Sequence, residues 1–142
     1  MLSEENLETH NYYYIRKVDG EWVKTVIAPS NHQWNSTYLK HDKKGRLHAY
    51  LIMGEGYADR EGVNYSHGGG RIEHWISKDK GNTWKMHRDI TPDAKKYPGW
   101  SFNNVQPVVR KDGSIVDGML IFYGWLHESK PDAVAFLLDE SA

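Results

Sequence analysis

The sequence has no cysteine, which excludes disulfide bonds, thiolate metal sites and a cysteine nucleophile. It also has almost no net charge, because 18 Lys and Arg residues are balanced by 19 Asp and Glu residues, for a formal charge of −1. This balance argues against nucleic acid or a membrane surface as a partner, since both are held by broad positive patches. No apolar run approaches the roughly 18 residues of a membrane span, and residues 1–10 lack the apolar core of a signal peptide.

Aromatic residues and glycine are abundant instead. The 142 residues include six Trp, nine Tyr and three Phe, together 13% of the chain, and 13 Gly. Aromatic and β-branched runs favour strands, Gly and Asp mark turns, and no segment has the period of an amphipathic helix, so we predict an all-β protein. The predicted strands are 11–18, 21–28, 36–42, 47–54, 70–78, 84–90, 104–111, 118–124 and 132–139.

Internal similarity groups these strands into repeats. Residues 38–56 and 107–125 both read as a strand, a charged Gly turn, an apolar strand and a final Gly. A second similar pair has an aromatic strand, an Asp/Gly turn and a Trp that opens the next strand, with Trp22 and Trp84 predicted to play the same part. The spacing of roughly sixty residues suits a four-stranded antiparallel unit with long loops, which is typical of a propeller blade.

One turn carries a specific motif. Residues Ser77–Trp84 read SKDKGNTW and match the pattern S-x-D-x-G-x-T-W. We predict that Asp79 accepts backbone N–H bonds inside the turn, that Gly81 adopts a left-handed conformation and that Trp84 anchors the hairpin in the core. The pattern resembles the Asp box of the bacterial neuraminidase repeat. Asp79 is therefore predicted to be a structural residue and not a catalytic carboxylate.

The chain also resembles the C-terminal part of the ulvan-lyase-like polysaccharide-degrading enzymes, which are β-propellers of the sialidase superfamily. The similarity rests on residues 10–39, 68–86 and 133–140 together with the Asp box. In such families the Asp box joins the third and fourth strands of a blade. That position sets the assignment of every other strand to a blade.

The resemblance implies a complete blade at 36–90, preceded by the outer half of another blade at 11–28. Residues 104–139 would supply three inner strands of the last blade. Residues 1–142 are then a single partial propeller domain of about two and a quarter blades, and a C-terminal fragment of a larger protein. We expect such a fragment to associate with the missing N-terminal blades of its parent chain or, alone, with itself.

The resemblance further implies a polysaccharide lyase that cleaves a uronate-containing glycan by β-elimination. Two alternatives stay open: a glycoside hydrolase of the sialidase or rhamnosidase-like kind, and a non-catalytic propeller that binds glycan or protein. The expected partner is a polysaccharide or oligosaccharide, and the parent protein is expected to be secreted or periplasmic. No cofactor is predicted, although a structural metal completed by the missing blades stays open.

In a propeller with these blades, the long loops lie on one face, and they are rich in aromatic residues and histidine. Aromatic rings stack on sugar surfaces, and planar polar groups bind hydroxyls. The substrate-binding candidates are Trp34, Asn35, Tyr57, Tyr65, Trp100 and Asn104. The catalytic candidates are Arg60 and Arg71, either of which could hold a uronate carboxylate, and His32 and His67, either of which could transfer a proton.

Four further histidines fall inside predicted strands. For these, a hydrogen-bonded structural histidine is the better interpretation, because strand interiors are packed. They are His41, His48, His74 and His87. No chemical role is therefore predicted for these four histidines.

Overall fold

The computed structural model describes residues 10–30, 37–53, 70–93, 100–126 and 133–140. All regular secondary structure in these ranges is β-strand, and every strand pair is antiparallel, so the all-β prediction is confirmed. No helix in the described part is long and apolar enough to cross a membrane. The strands are β1 (His10–Val18), β2 (Glu21–Ser30), β3 (Tyr38–His41), β4 (Leu47–Met53), β5 (Arg71–Ser77), β6 (Lys85–Asp89), β7 (Trp100–Val109), β8 (Ile115–Leu126) and β9 (Ala133–Asp139).

The strand ends agree best where a tight turn closes a hairpin and least in the third sheet. There β7 begins at Trp100 and β8 at Ile115, whereas the sequence places their starts at 104 and 118. Gly118, with φ of 76°, lies in an irregular stretch where the pairing shifts between Pro107 and Val109. A glycine typical of turns therefore lies inside the strand, because it provides the positive φ of a bulge.

The strands form three sheets, in the orders β1-β2, β3-β4-β5-β6 and β7-β8-β9. We call them the first, middle and third sheets. The middle sheet lies between the other two, and its strand β4 is buried along its whole length. Because side chains alternate along a strand, Leu47, Ala49 and Leu51 face the first sheet, while Tyr50 and Ile52 face the third.

Aromatic side chains form much of the contact between the sheets. On the first-sheet side, Tyr14 packs edge-on against Trp84 with 5.6 Å between ring centroids, and the Tyr12 hydroxyl donates to the Ile52 carbonyl at 2.8 Å. On the third-sheet side, Phe102, which is 1% exposed, joins a core with the middle sheet. Phe102 and Gly70 also exchange backbone hydrogen bonds of 2.7 and 3.1 Å, which tie the two sheets together.

The Ser77–Trp84 turn has the geometry predicted for it. The Asp79 carboxylate accepts the Thr83 backbone N–H at 2.9 Å, the Thr83 hydroxyl at 2.6 Å and the Ser77 hydroxyl at 2.8 Å. The bonds from Thr83 and Ser77 lower the pKa of Asp79 to about 2, so the carboxylate is ionised and fully engaged inside the turn. Gly81 has φ of +87° and Trp84 is 9% exposed.

The predicted equivalence of Trp22 and Trp84 is wrong. Trp22 is 72% exposed, and its ring lies on the outer face of the first sheet, 6.0 Å from the Lys17 ammonium group. Trp84 is buried because its hairpin faces Tyr14 of the first sheet. The two hairpins share a strand and turn pattern, but burial depends on whether another sheet covers that face.

We predict that Gly81→Ala destabilises the protein more than Gly45→Ala. Both glycines have positive φ, +87° and +75°, so each alanine brings about 1–2 kcal/mol of backbone strain. At Gly81 a new Cβ would also lie 2.2 Å from the Tyr14 ring, whereas at Gly45 it meets nothing within 4 Å. The clash adds about 1–3 kcal/mol. Urea unfolding of the two variants measures the difference, and equal losses would contradict the close packing of Gly81 against Tyr14.

Candidate functional site

A cleft of about 570 Å³ opens between the middle sheet and the C-terminal end of the third sheet. Its lining combines five Lys or Arg, four His and three acidic side chains. The cations exceed the acids by two, so the cleft suits an anionic group. The cationic side chains are Lys40, Lys43, Lys44, Arg46 and Arg88.

The centre of the cleft is the carboxylate of Glu140, which follows directly after β9. The Glu140 backbone N–H donates to the Gly118 carbonyl at 2.7 Å, so the chain is held beside the bulge of β8. The side chain points at the middle sheet and is 8% exposed. A carboxylate at this depth requires hydrogen-bond donors around it.

Each strand of the middle sheet places one polar side chain beside the carboxylate, and three of the four donate hydrogen bonds to it. The Tyr50 hydroxyl donates to Oε2 of Glu140, and the Lys40 ammonium group lies 3.3 Å from the same oxygen. Arg88 Nη2 donates to Oε1 at 3.1 Å, and His74 Nδ1 lies 3.5 Å from it. The registers Tyr50↔His74 and His74↔Arg88 explain the convergence, because directly opposed residues point to the same face of a sheet.

These contacts set the protonation states of the cluster. Burial favours the neutral acid at Glu140, but the Tyr50 hydrogen bond and the cations around it outweigh burial and lower its pKa. Burial and the bond to Glu140 raise the pKa of Tyr50, so its hydroxyl keeps its proton. Burial lowers the pKa of His74 to about 4, so that ring is neutral at pH 7.

A chain of contacts runs from Glu140 to a second carboxylate. His74 Nε2 lies 2.8 Å from His48 Nδ1, and His48 Nε2 lies 3.2 Å from Asp42 Oδ2. Asp42 is held in the β3–β4 turn by the backbone N–H of Arg46 at 2.8 Å, and such bonds outweigh partial desolvation and lower its pKa. His48 therefore has a partner on both ring nitrogens.

His74 differs from His48 in one respect. Its Nδ1 atom is buried and makes no hydrogen bond to any described residue, because the 3.5 Å approach to Glu140 is outside hydrogen-bond geometry.

Most of the residues predicted for the site lie outside the described residues: His32, Trp34, Asn35, Tyr57, Arg60, Tyr65 and His67. Trp100 begins β7, and only its backbone is described. Asn104 is half-buried in β7. Arg71 begins β5, is 55% exposed and forms ion pairs with Glu73 at 2.9 Å and Asp89 at 3.6 Å. Their roles stay predictions.

The cleft is not predicted by the sequence. His48 and His74 are predicted there to be structural, and Lys40, Tyr50, Arg88 and Glu140 are not among the predicted site residues. A usable signal was present in β4, where His48 and Tyr50 occupy alternate positions in an otherwise apolar strand. Nothing in the local sequence around Glu140 indicates that its side chain is buried.

No family model, curated protein or solved structure matches this chain. The resemblance to Asp-box propellers therefore depends on the residues given above. Among the described residues, no group of three or more His, Asp or Glu is arranged to hold a metal ion. The cleft contains cationic and proton-carrying side chains around a carboxylate.

We predict that the protein loses stability as the pH falls from about 6.5 to 4. The unfolded His74 ring takes up a proton near pH 6.5, whereas the folded ring resists protonation down to about 4, so acid favours the unfolded state. Glu140 adds to the loss at lower pH, because its lowered pKa stabilises the fold only while the carboxylate is ionised. The loss in free energy of unfolding should be about 3 kcal/mol, because each unit between the unfolded and folded pKa of His74 is worth about 1.4 kcal/mol.

Urea unfolding at several pH values, followed by Trp fluorescence, measures this dependence. His74→Phe should flatten the slope between pH 6.5 and 4, whatever its effect at pH 7. His41→Phe is the matched control, because His41 lines the same cleft but is exposed. An unchanged slope in His74→Phe would show that another group carries the pH dependence.

Proposed function

We propose that this chain is the C-terminal part of a carbohydrate-active β-propeller enzyme, and that the parent is a polysaccharide lyase acting on uronate-containing glycan by β-elimination. Two features support the propeller. Antiparallel sheets are stacked face to face with a four-stranded sheet in the middle, and the Ser77–Trp84 turn has its Asp, Gly and Trp in structural positions. The sheets of two and three strands then correspond to parts of neighbouring blades.

The observation that carries the lyase proposal is the convergence of Lys40, Tyr50, His74 and Arg88 on one carboxylate. β-Elimination of a uronate requires positive groups that neutralise the sugar carboxylate, because this lowers the pKa of the neighbouring C–H proton. It also requires a base for that proton and an acid for the leaving oxygen. The cleft contains all these types of side chain.

Two histidines of the cleft are exposed, His41 and His87, and the one that contacts the buried cluster is His87. Its ring meets the His74 ring edge-on, with 5.2 Å between centroids, and it is exposed on β6 beside Arg88. Tyr50 and His74 are buried beneath it. We therefore assign proton transfer at the cleft surface to His87, and assign Arg88 and Lys40 to the sugar carboxylate. The loop residues His32, His67, Arg60 and Arg71 remain a second candidate position for the same chemistry.

The proposed activity also implies where the parent enzyme acts and what it binds. The parent acts in the secreted or periplasmic space, where its polysaccharide substrate is found. It binds polysaccharide or oligosaccharide through its cleft and loops and uses no cofactor in the elimination step. The remaining blades come from the parent chain.

We predict that the full-length parent, incubated with polyuronates, produces the ultraviolet absorbance of an unsaturated uronate. His87→Ala and Arg88→Gln should each reduce the rate by about 100-fold or more, because each removes a proton-transfer or charge-stabilising group. Arg110→Gln is the matched control, since this exposed arginine lies in the β7–β8 turn. The 142-residue chain alone should be inactive.

Three other results would contradict the lyase proposal or the position of its site. Release of reducing ends without the absorbance would indicate a glycoside hydrolase. Saturable binding of glycan without any product would indicate a binding propeller. Loss of activity in His67→Ala or Arg60→Gln, with no effect of His87→Ala, would move the site from the cleft to the loops.

We also predict that the 142-residue chain associates with itself. The outer face of the first sheet exposes Ile15 at 55% and Trp22 at 72%, and the outer face of the third sheet exposes Leu137 at 63%. In a propeller these faces would be covered by neighbouring blades. Light scattering should show oligomers that Trp22→Ser and Leu137→Ser weaken, with Val109→Ser, an exposed residue at the β7–β8 turn, as the control. A monodisperse wild-type monomer would contradict the partial-propeller proposal.

A further inference from the structure

The Glu140 carboxylate is held in the way a protein holds a bound carboxylate ligand. Oε1 faces Arg88 and His74, and Oε2 faces Tyr50 and Lys40, so each oxygen has two nitrogen or hydroxyl groups beside it. All four come from the middle sheet, and the carboxylate comes from the third. A planar anion with two oxygens matches this arrangement better than a spherical ion does.

Three of the four groups, Lys40, Tyr50 and His74, also have contacts that do not involve Glu140. The Tyr50 ring stacks between Tyr38 and His74, with centroid distances of 5.9 and 4.5 Å. His74 is bonded to His48, and the Lys40 ammonium group lies 5.6 Å from the centre of the Tyr50 ring. The site is therefore largely preorganised by the middle sheet, which lowers the cost of binding a ligand.

Glu140 belongs to the third sheet, where it follows the last residue of β9. Its backbone N–H donates to the Gly118 carbonyl, and its side chain enters the cleft from the end of β9. Withdrawal of the carboxylate by rotation about its side-chain bonds would break its contacts with the four groups, but it would leave the contacts among Lys40, Tyr50 and His74 in place. The Lys40 and Arg88 charges would then lack their counter-ion, and this favours entry of another anion.

We propose that Lys40, Tyr50, His74 and Arg88 form a carboxylate-binding site that Glu140 fills as an internal ligand, and that the carboxylate of a uronic acid competes with Glu140 for it. The proposal deepens the proposed function by naming the chemical group that the cleft recognises, and it rests on that function only for the identity of the sugar. Glu140 then acts as an autoinhibitory group that an acidic glycan must displace.

The test is rescue of Glu140→Ala by free carboxylates, measured as the thermal midpoint. In sodium chloride this variant should melt below wild type. Sodium acetate or sodium galacturonate at equal ionic strength should raise its Tm by about 3–6 °C at ten times Kd, beyond any effect of chloride or sulfate. Glu140→Gln fills the same space with a neutral amide and should show no such rise. The double variant Glu140→Ala/Arg88→Gln should lose most of the rescue.

If Glu140→Ala does not fold in chloride, refolding from urea with and without acetate gives the same comparison. A rise no larger with carboxylates than with chloride or sulfate overturns the site. Rescue by acetate without rescue by galacturonate supports the carboxylate site and overturns its assignment to an acidic sugar. If carboxylates rescue the variant but the parent is inactive on polyuronates, the carboxylate site is supported and the lyase proposal is overturned. If the parent cleaves polyuronates but carboxylates do not rescue the variant, the lyase proposal is supported and the carboxylate site is overturned.

Discussion

The structure depends on the burial of β4 on both of its faces. One face places Leu47, Ala49 and Leu51 against the first sheet, which is ordinary apolar packing. The other face carries His48, Tyr50 and Ile52, so two polar rings are removed from water together with one apolar side chain. Polar groups buried in this way must find partners inside the protein. The chain of contacts from Asp42 to Glu140 follows from this requirement.

The polar cluster therefore has two roles that are hard to separate. It provides polar partners for the buried rings of the middle sheet, and it joins that sheet to the third sheet through Glu140. A buried ion pair seldom adds much net stability, because desolvation of the charges offsets their attraction, but loss of one partner is costly. The cluster thus makes the alignment of the two sheets specific, and the same charges make the adjoining cleft attractive to anions.

Much of the fold could be predicted because its signals are local. The turn residues Asp19, Gly20 and Gly113 all have positive φ, as their residue types indicate, and the hairpins they close have the expected strands. The Asp79 turn is equally local, since its hydrogen bonds join residues within a few positions of one another. Gly118 is the exception, because a glycine in a bulge and a glycine in a turn look alike in sequence.

The sequence by itself determined the strands, their hairpin pairing and the structural role of Asp79, because these depend on alternation and turn chemistry over a few neighbouring residues. Only the tertiary structure decided which aromatic residues are buried: Trp84 meets another sheet and Trp22 does not. It also decided the site, since Glu140 lies 90 residues from Tyr50 along the chain. Contacts of that range depend on how the sheets stack, which no local pattern encodes.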